Sequence, residues 1–185
     1  MEIEKYINKK KELYDTLLQF LEDDTNENEN FHQLIEIIDQ QNIKEDREEM
    51  TLFFQMIVQI SNNHNRQHNF IKKIEQILEF FFPIIKQTLS NSEIFKLFKS
   101  NKLLILFLIE SQIINVDENI ASQILYRSVK TKTKYHQFFL PEIKSFIDVT
   151  ELKDIENELA SESQDQDFLE KRKKGIVNRL RNAEG

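Results

Sequence analysis

Apolar residues recur at Ile3, Ile7, Tyr14, Leu17 and Leu21, with Tyr6, Leu13 and Phe20 widening the row. That spacing draws one stripe on a helix and predicts a first helix over 2–22, interrupted only by Lys10. EDDTNENEN (22–30) is an acidic, Asn-rich connection, and Phe31, Leu34, Ile35 and Ile38 mark a short second helix. At 46–49, DREE resembles a capping box, with Asp46 accepting backbone N–H groups and Glu49 reaching back. A third helix follows through Met50, Phe53, Phe54, Ile57 and Ile60. SNNHNRQHN (61–69) halts it, because Ser and Asn compete for backbone hydrogen bonds outside helices.

Asn69 is placed to cap a fourth helix through Phe70, Ile74, Ile77, Leu78 and Phe81. Pro83 lacks an N–H and disfavours helix at Phe82, so a break is expected there. Short helices follow over 84–89, 92–99 and 102–112, and Asp117 caps another through Ile120, Ile124 and Leu125. A basic connection, RSVKTKTKYH (127–136), leads to Pro141, the first residue of a helix through Ile143 and Phe146. Residues 150–160 form one more helix. The pattern predicts an all-α fold of short antiparallel helices stacked as hairpins, either solenoid-like or an irregular bundle. One helical domain is expected over 1–160, followed by an acidic-then-basic tail over 161–185. EIIDQQNIKED (36–46) and FLIESQIINVD (107–117) echo each other as a helix end, a turn and the next cap.

Composition narrows the chemistry. Glycine occurs only at 175 and 185, so no phosphate-cradling loop or nucleophile elbow can be built in the body of the chain. There is no cysteine, which removes disulfides, thiolate metal sites and thiol nucleophiles together. At 185 residues the chain can bury roughly 70% of the surface it exposes unfolded, so a core needs no staple. The longest apolar run, LLILFLI (103–109), is far short of the ~20 residues of a membrane span. No apolar leader opens the sequence, and a cytoplasmic location is expected.

His64 and His68 have the i, i+4 spacing of a helical zinc site. Asn65 stands where the catalytic Glu of that motif belongs, and Asn62, Asn63 and Gln67 are poor ligands. A metal would have to recruit His32, His136 or distant carboxylates, so the histidines are read as a polar turn with no metal or cofactor. Acidic residues crowd 22–49, eleven against two basic ones, where solvation and helix dipoles explain them without a proton-transfer site. No local signature arranges a Ser–His–Asp triad, and the chain is read as non-enzymatic.

Two basic runs support an alternative. Arg127, Lys130, Lys132 and Lys134 lie beside Tyr126, Tyr135, Phe138 and Phe139, and Lys171, Arg172, Lys173 and Lys174, with Arg179 and Arg181, form the second run over 171–181. Cations beside aromatic faces suit single-stranded nucleic acid or an anionic surface. The net charge of −7 and a pI near 5.2 weigh against it.

NKKKELYDTLLQFLE (8–22), SNNHNRQHNFIKKIEQIL (61–78), IIKQTLSNSEIFKLFKSNKLLILFLIESQII (84–114), YHQFFLPEIKSFI (135–147) and FLEKRKKG (168–175) occur in one order. Together they resemble the N-terminal helical region of the large ankyrin-repeat protein families of parasitic protists. That resemblance implies a helical scaffold ahead of a repeat array, supporting protein–protein binding, and it brings no catalytic residues. Family members continue into repeats after the position of Gly175. This sequence instead runs on as IVNRLRNAEG, and no Thr-Pro-Leu-His signature occurs, so either a truncated or divergent member or an incomplete piece of a longer chain is expected.

A helical region ahead of a solenoid acts as a cap for its terminal repeat. Such a cap is expected to carry a sticky face near Phe139, Leu140, Ile143, Phe146, Ile147 and Leu152. The expected function is therefore a protein-interaction or scaffold module, with protein partners, or a second copy of the chain, on that face.

Overall fold

A computed structural model describes residues 2–63 and 68–160. Among the described residues there are eleven α-helices, two short 3-10 turns and no strand, so the fold is all-α. The helices group into two compact units that divide between Ile113 and Ile114. The sequence reading of a single helical body over 1–160 does not make this division.

The first unit contains α1 (Glu2–Lys9), α2 (Lys11–Glu22), α3 (Glu27–Gln40), α4 (Arg47–Asn63), α5 (His68–Thr88), α6 (Asn91–Phe98) and α7 (Lys102–Glu110). The stripe over 2–22 breaks at its one polar interruption. Lys10 leaves helical dihedrals (φ −110°, ψ 44°), and α2 buries Leu13, Leu17, Phe20 and Leu21 beyond the break. α4 holds the centre, packing against α1, α5 and α6. Its Phe53 and Phe54 meet Phe81 of α5 at ring-centroid distances of 5.6 and 5.0 Å, and Phe54 meets Phe98 of α6 at 5.6 Å. All four rings are fully buried.

Pro83 does not break its helix. α5 runs through it from His68 to Thr88. Phe81 and Ile85, on either side of the proline, are fully buried, whereas Pro83 and Glu79 are exposed. With no N–H at Pro83, the Glu79 carbonyl loses its helical partner on the exposed side of α5. The defect costs about 3 kcal/mol, and burying two large apolar side chains at roughly 1.5–3 kcal/mol each offsets it.

Caps follow the expected chemistry with two differences. Asp46 Oδ1 accepts from the N–H groups of Glu48 (2.9 Å) and Glu49 (3.3 Å). Glu49 does not return to complete the box; it pairs with Lys10 at 3.7 Å. The full reciprocal box lies at Ser90–Glu93 instead, opening α6. Asn69 lies inside α5 and donates to Asp24 (2.9 Å) and Glu27 (3.4 Å), tying this helix to the connection between α2 and α3.

Lys73 secures the same connection. Its side chain is 3% exposed, and Nζ reaches Asp24 Oδ1 at 2.6 Å and the Asp23 and Leu21 carbonyls at 3.3 and 3.4 Å. Within that loop Asp23 accepts from the N–H (2.9 Å) and hydroxyl (2.6 Å) of Thr25, which hold its carboxyl below its ordinary range. A second buried polar contact joins Asn101, ahead of α7, to Ser61 of α4 at 2.6 Å.

The second unit contains α8 (Glu118–Thr131), α9 (Tyr135–Phe138), α10 (Leu140–Ile143) and α11 (Val149–Ala160). Asp117 Oδ1 caps α8 by accepting from the Ile120 N–H at 2.8 Å. The helix runs on through Thr131, so the basic segment is mostly helical, and the turn begins at Lys132 in the left-handed region (φ 55°). Pro141 sits at the start of α10, as its ring geometry favours. α9 and α11 both pack against α8.

The internal echo is visible in the backbone. Asn42 (φ 53°) and Gln112 (φ 62°) both turn left-handed after a helix end, and each is followed by a buried isoleucine, Ile43 or Ile113. An aspartate cap, Asp46 or Asp117, then opens the next helix.

Two substitutions test this core. Phe54→Ala should lower the free energy of unfolding by about 3–5 kcal/mol, read as an earlier urea midpoint, with Phe54→Leu losing less. A midpoint unchanged in Phe54→Ala would contradict the central role of α4. Lys73→Ala should destabilise by about 3 kcal/mol, because two carbonyls lose their donor, while Lys73→Met should recover part of the loss by packing its chain. Equal loss in both variants would mean that charge pairing alone, with no contribution from the packing of the chain, holds the α2–α3 connection.

Candidate interaction surface

The sticky face expected around residues 139–152 falls at the corner between α10 and α11. Pro141 starts the short α10, and Phe139 and Ile143 on either side of it are fully buried. These two anchor the corner and take no part in its surface. The helix then stops, and Lys144–Phe146 forms a 3-10 turn followed by extended Ile147 (φ −118°, ψ 149°). Asp148 Oδ1 accepts from the Thr150 N–H at 2.7 Å and opens α11.

In a continuous helix Phe146 would share the buried face of Ile143, three residues before it. Phe146 instead ends the 3-10 turn, where the chain leaves the helix for extended Ile147, and it is 41% exposed. Leu140, Ile147 and Leu152 are half-buried. Val149, which the sequence reading omits, is 68% exposed, the most open large apolar residue among those described. Its place in the first turn of α11, before the stripe of Leu152 and Ile155, was the available signal.

The basic residues divide in another way. Arg127 is half-buried, with its guanidinium 5.5 Å from the centroid of the Tyr135 ring. Lys130 Nζ lies 6.0 Å from the centroid of Tyr126. Lys132 and Lys134 are exposed in the turn after α8. The two tyrosines nearest this run thus carry cations of their own chain over their rings. Lys171, Arg172, Lys173 and Lys174 lie outside the described residues, as does His64.

His68 begins α5, and His32 is exposed on α3. Among the described residues no group of three or more metal-ligating side chains converges. Two of the open grooves lined by described residues of the first unit carry apolar side chains beside charged ones. One, of about 320 Å³, has Ile71 of α5 and Leu103, Leu106 and Phe107 of α7 in its lining, beside Lys72, Glu75 and Glu110. The other, of about 260 Å³, lies between α1 and α4 over Tyr6 and Leu52. Burial, with the Glu49 carboxylate adding to it, raises the Tyr6 phenol well above its ordinary range.

The second unit does assemble a serine, a histidine and a carboxylate. Ser128 Oγ accepts from the backbone N–H of His136 at 2.7 Å and lies 3.1 Å from its Nδ1. Nε2 lies 3.6 Å from Glu156 Oε1. Both Ser128 and His136 are fully buried. The serine sits on Nδ1 and the carboxylate on Nε2, so the hydroxyl tethers one helix to the next instead of facing a cleft. Sequence spacing offers no cue to this cluster, because its members come from α8, α9 and α11.

No helix of the described residues is long and apolar enough to cross a membrane. Compared with family models, curated proteins and solved structures, the chain matches none.

Proposed function

We propose that the chain is a non-enzymatic protein-interaction module whose contact face is the corner between α10 and α11. The observation that carries this reading is the exposure of Phe146 and Val149 within four residues of each other, beside half-buried Ile147. Covering such side chains gains roughly 1.5–3 kcal/mol each when burial is complete. The occupant that suits this face is an apolar helical surface, the kind a helical repeat presents to its neighbour. The resemblance to the helical region ahead of ankyrin arrays supports the same occupant. Nucleic-acid stacking is less well supported, since Arg127 and Lys130 cover the tyrosine faces it would use and Phe139 is buried.

An apolar-surface dye, sedimentation and a polynucleotide titration together test this. The wild-type chain should bind the dye and self-associate as its concentration rises, and Phe146→Asp with Val149→Asp should remove most of both. A monomer that ignores the dye would overturn the proposal. Polynucleotide binding that weakens steeply with salt and disappears on neutralising Lys130, Lys132 and Lys134 would replace it with the nucleic-acid reading.

A further inference from the structure

We propose that His136 is an acid-sensitive latch: protonation of its imidazole loosens α9 and α11 from α8. The inference stands apart from the contact face proposed above, since it concerns only how the second unit holds its own helices.

The geometry favours a neutral ring. Ser128 Oγ already accepts the His136 backbone N–H at 2.7 Å, and its own proton has two acceptors in view. These are Nδ1 of His136 at 3.1 Å and the Ile124 carbonyl at 3.5 Å. With the hydroxyl donating to the nearer Nδ1, the ring proton sits on Nε2 and faces Glu156. Adding a second ring proton reverses the Nδ1 contact. Ser128 must then accept twice and turn its own hydrogen to the longer Ile124 contact.

The charge created has little to stabilise it. Among the described residues Nε2 finds no hydrogen-bond partner, and the Glu156 carboxylate lies 3.6 Å away on a side chain 41% exposed to water. Lys134, in the turn before α9, adds repulsion. Among the described residues the charged groups facing the ring are Glu156 from α11 and Lys134 from the α8–α9 turn, with neutral Ser128 from α8.

Burial is the largest influence and pulls the imidazole below its ordinary value of 6.5; Glu156 raises it in part, and Lys134 lowers it again. A folded-state value below the unfolded one means that the unfolded chain takes up the proton first. Stability present above about pH 6.5 is therefore lost as pH falls through the folded value. The opened state would bare Ile155, which α11 keeps fully buried.

Hydrogen exchange of the α9 and α11 amides, corrected for intrinsic rates, measures the latch at about pH 7.5 and about pH 5.5. Protection in these helices should fall about tenfold at the lower pH relative to α4, and the effect should disappear in His136→Gln. Ring-proton NMR should place the His136 midpoint below 6.5, with Glu156→Gln lowering it further and Lys134→Gln raising it. Those opposite shifts carry the test even where His136→Gln does not fold. A midpoint at or above 6.5, shifts of the same sign in the two variants, or acid loss persisting in His136→Gln would each overturn the proposal.

Discussion

Phe54 touches Phe81 at 5.0 Å and Phe98 at 5.6 Å, and through it three helices share one contact. Everything in the first unit is arranged around that constraint. Phenylalanine supplies fifteen of the residues, while glycine is missing from the helical body, so helix backbones cannot approach closely. The core fills with rings and branched chains instead, and each helix needs only a few such anchors. Short helices follow naturally, because stability comes from packing one apolar face and not from helix length. The same packing keeps α5 intact through Pro83.

Much of this architecture was readable from the sequence. Apolar spacing at near-helical periods located the helices, and Asp46 and Asp117 opened the ones they were expected to open. The errors have particular causes. Pro83 was read by local propensity, without knowing that Phe81 and Ile85 would both find the core. The Ser90–Glu93 box was present in the sequence as Ser-x-x-Glu but was hidden behind the expected break at the proline.

The exposure of individual apolar residues was half legible for a related reason. Over 139–152 the sequence pattern treats the apolar residues as equivalent, whereas Phe139 and Ile143 are buried and Phe146 and Val149 exposed. The helix stops after Ile143 in a 3-10 turn and an extended residue, and Ile143 is buried while Phe146 is exposed. A period-based reading cannot place that change, since one residue of register decides the outcome. The buried polar contacts were less legible still. Ser61 meets Asn101 across 40 positions, and Lys73 meets Asp24 across 49.

Lys73 and His136 are the same physical problem with different answers. Each puts a basic group where water is excluded, and a buried charge needs compensation. Lys73 has it in full: a carboxylate at 2.6 Å, two carbonyls, and the Phe20 ring 5.7 Å away. It acts as a fixed pin. His136 has a hydroxyl that already serves a backbone donor and a carboxylate too distant to bond. Lysine cannot easily shed its proton near neutrality, whereas histidine can, so incomplete compensation is tolerable only for the histidine. The incomplete site is therefore the one that responds to its surroundings, and the complete one is the one that only holds.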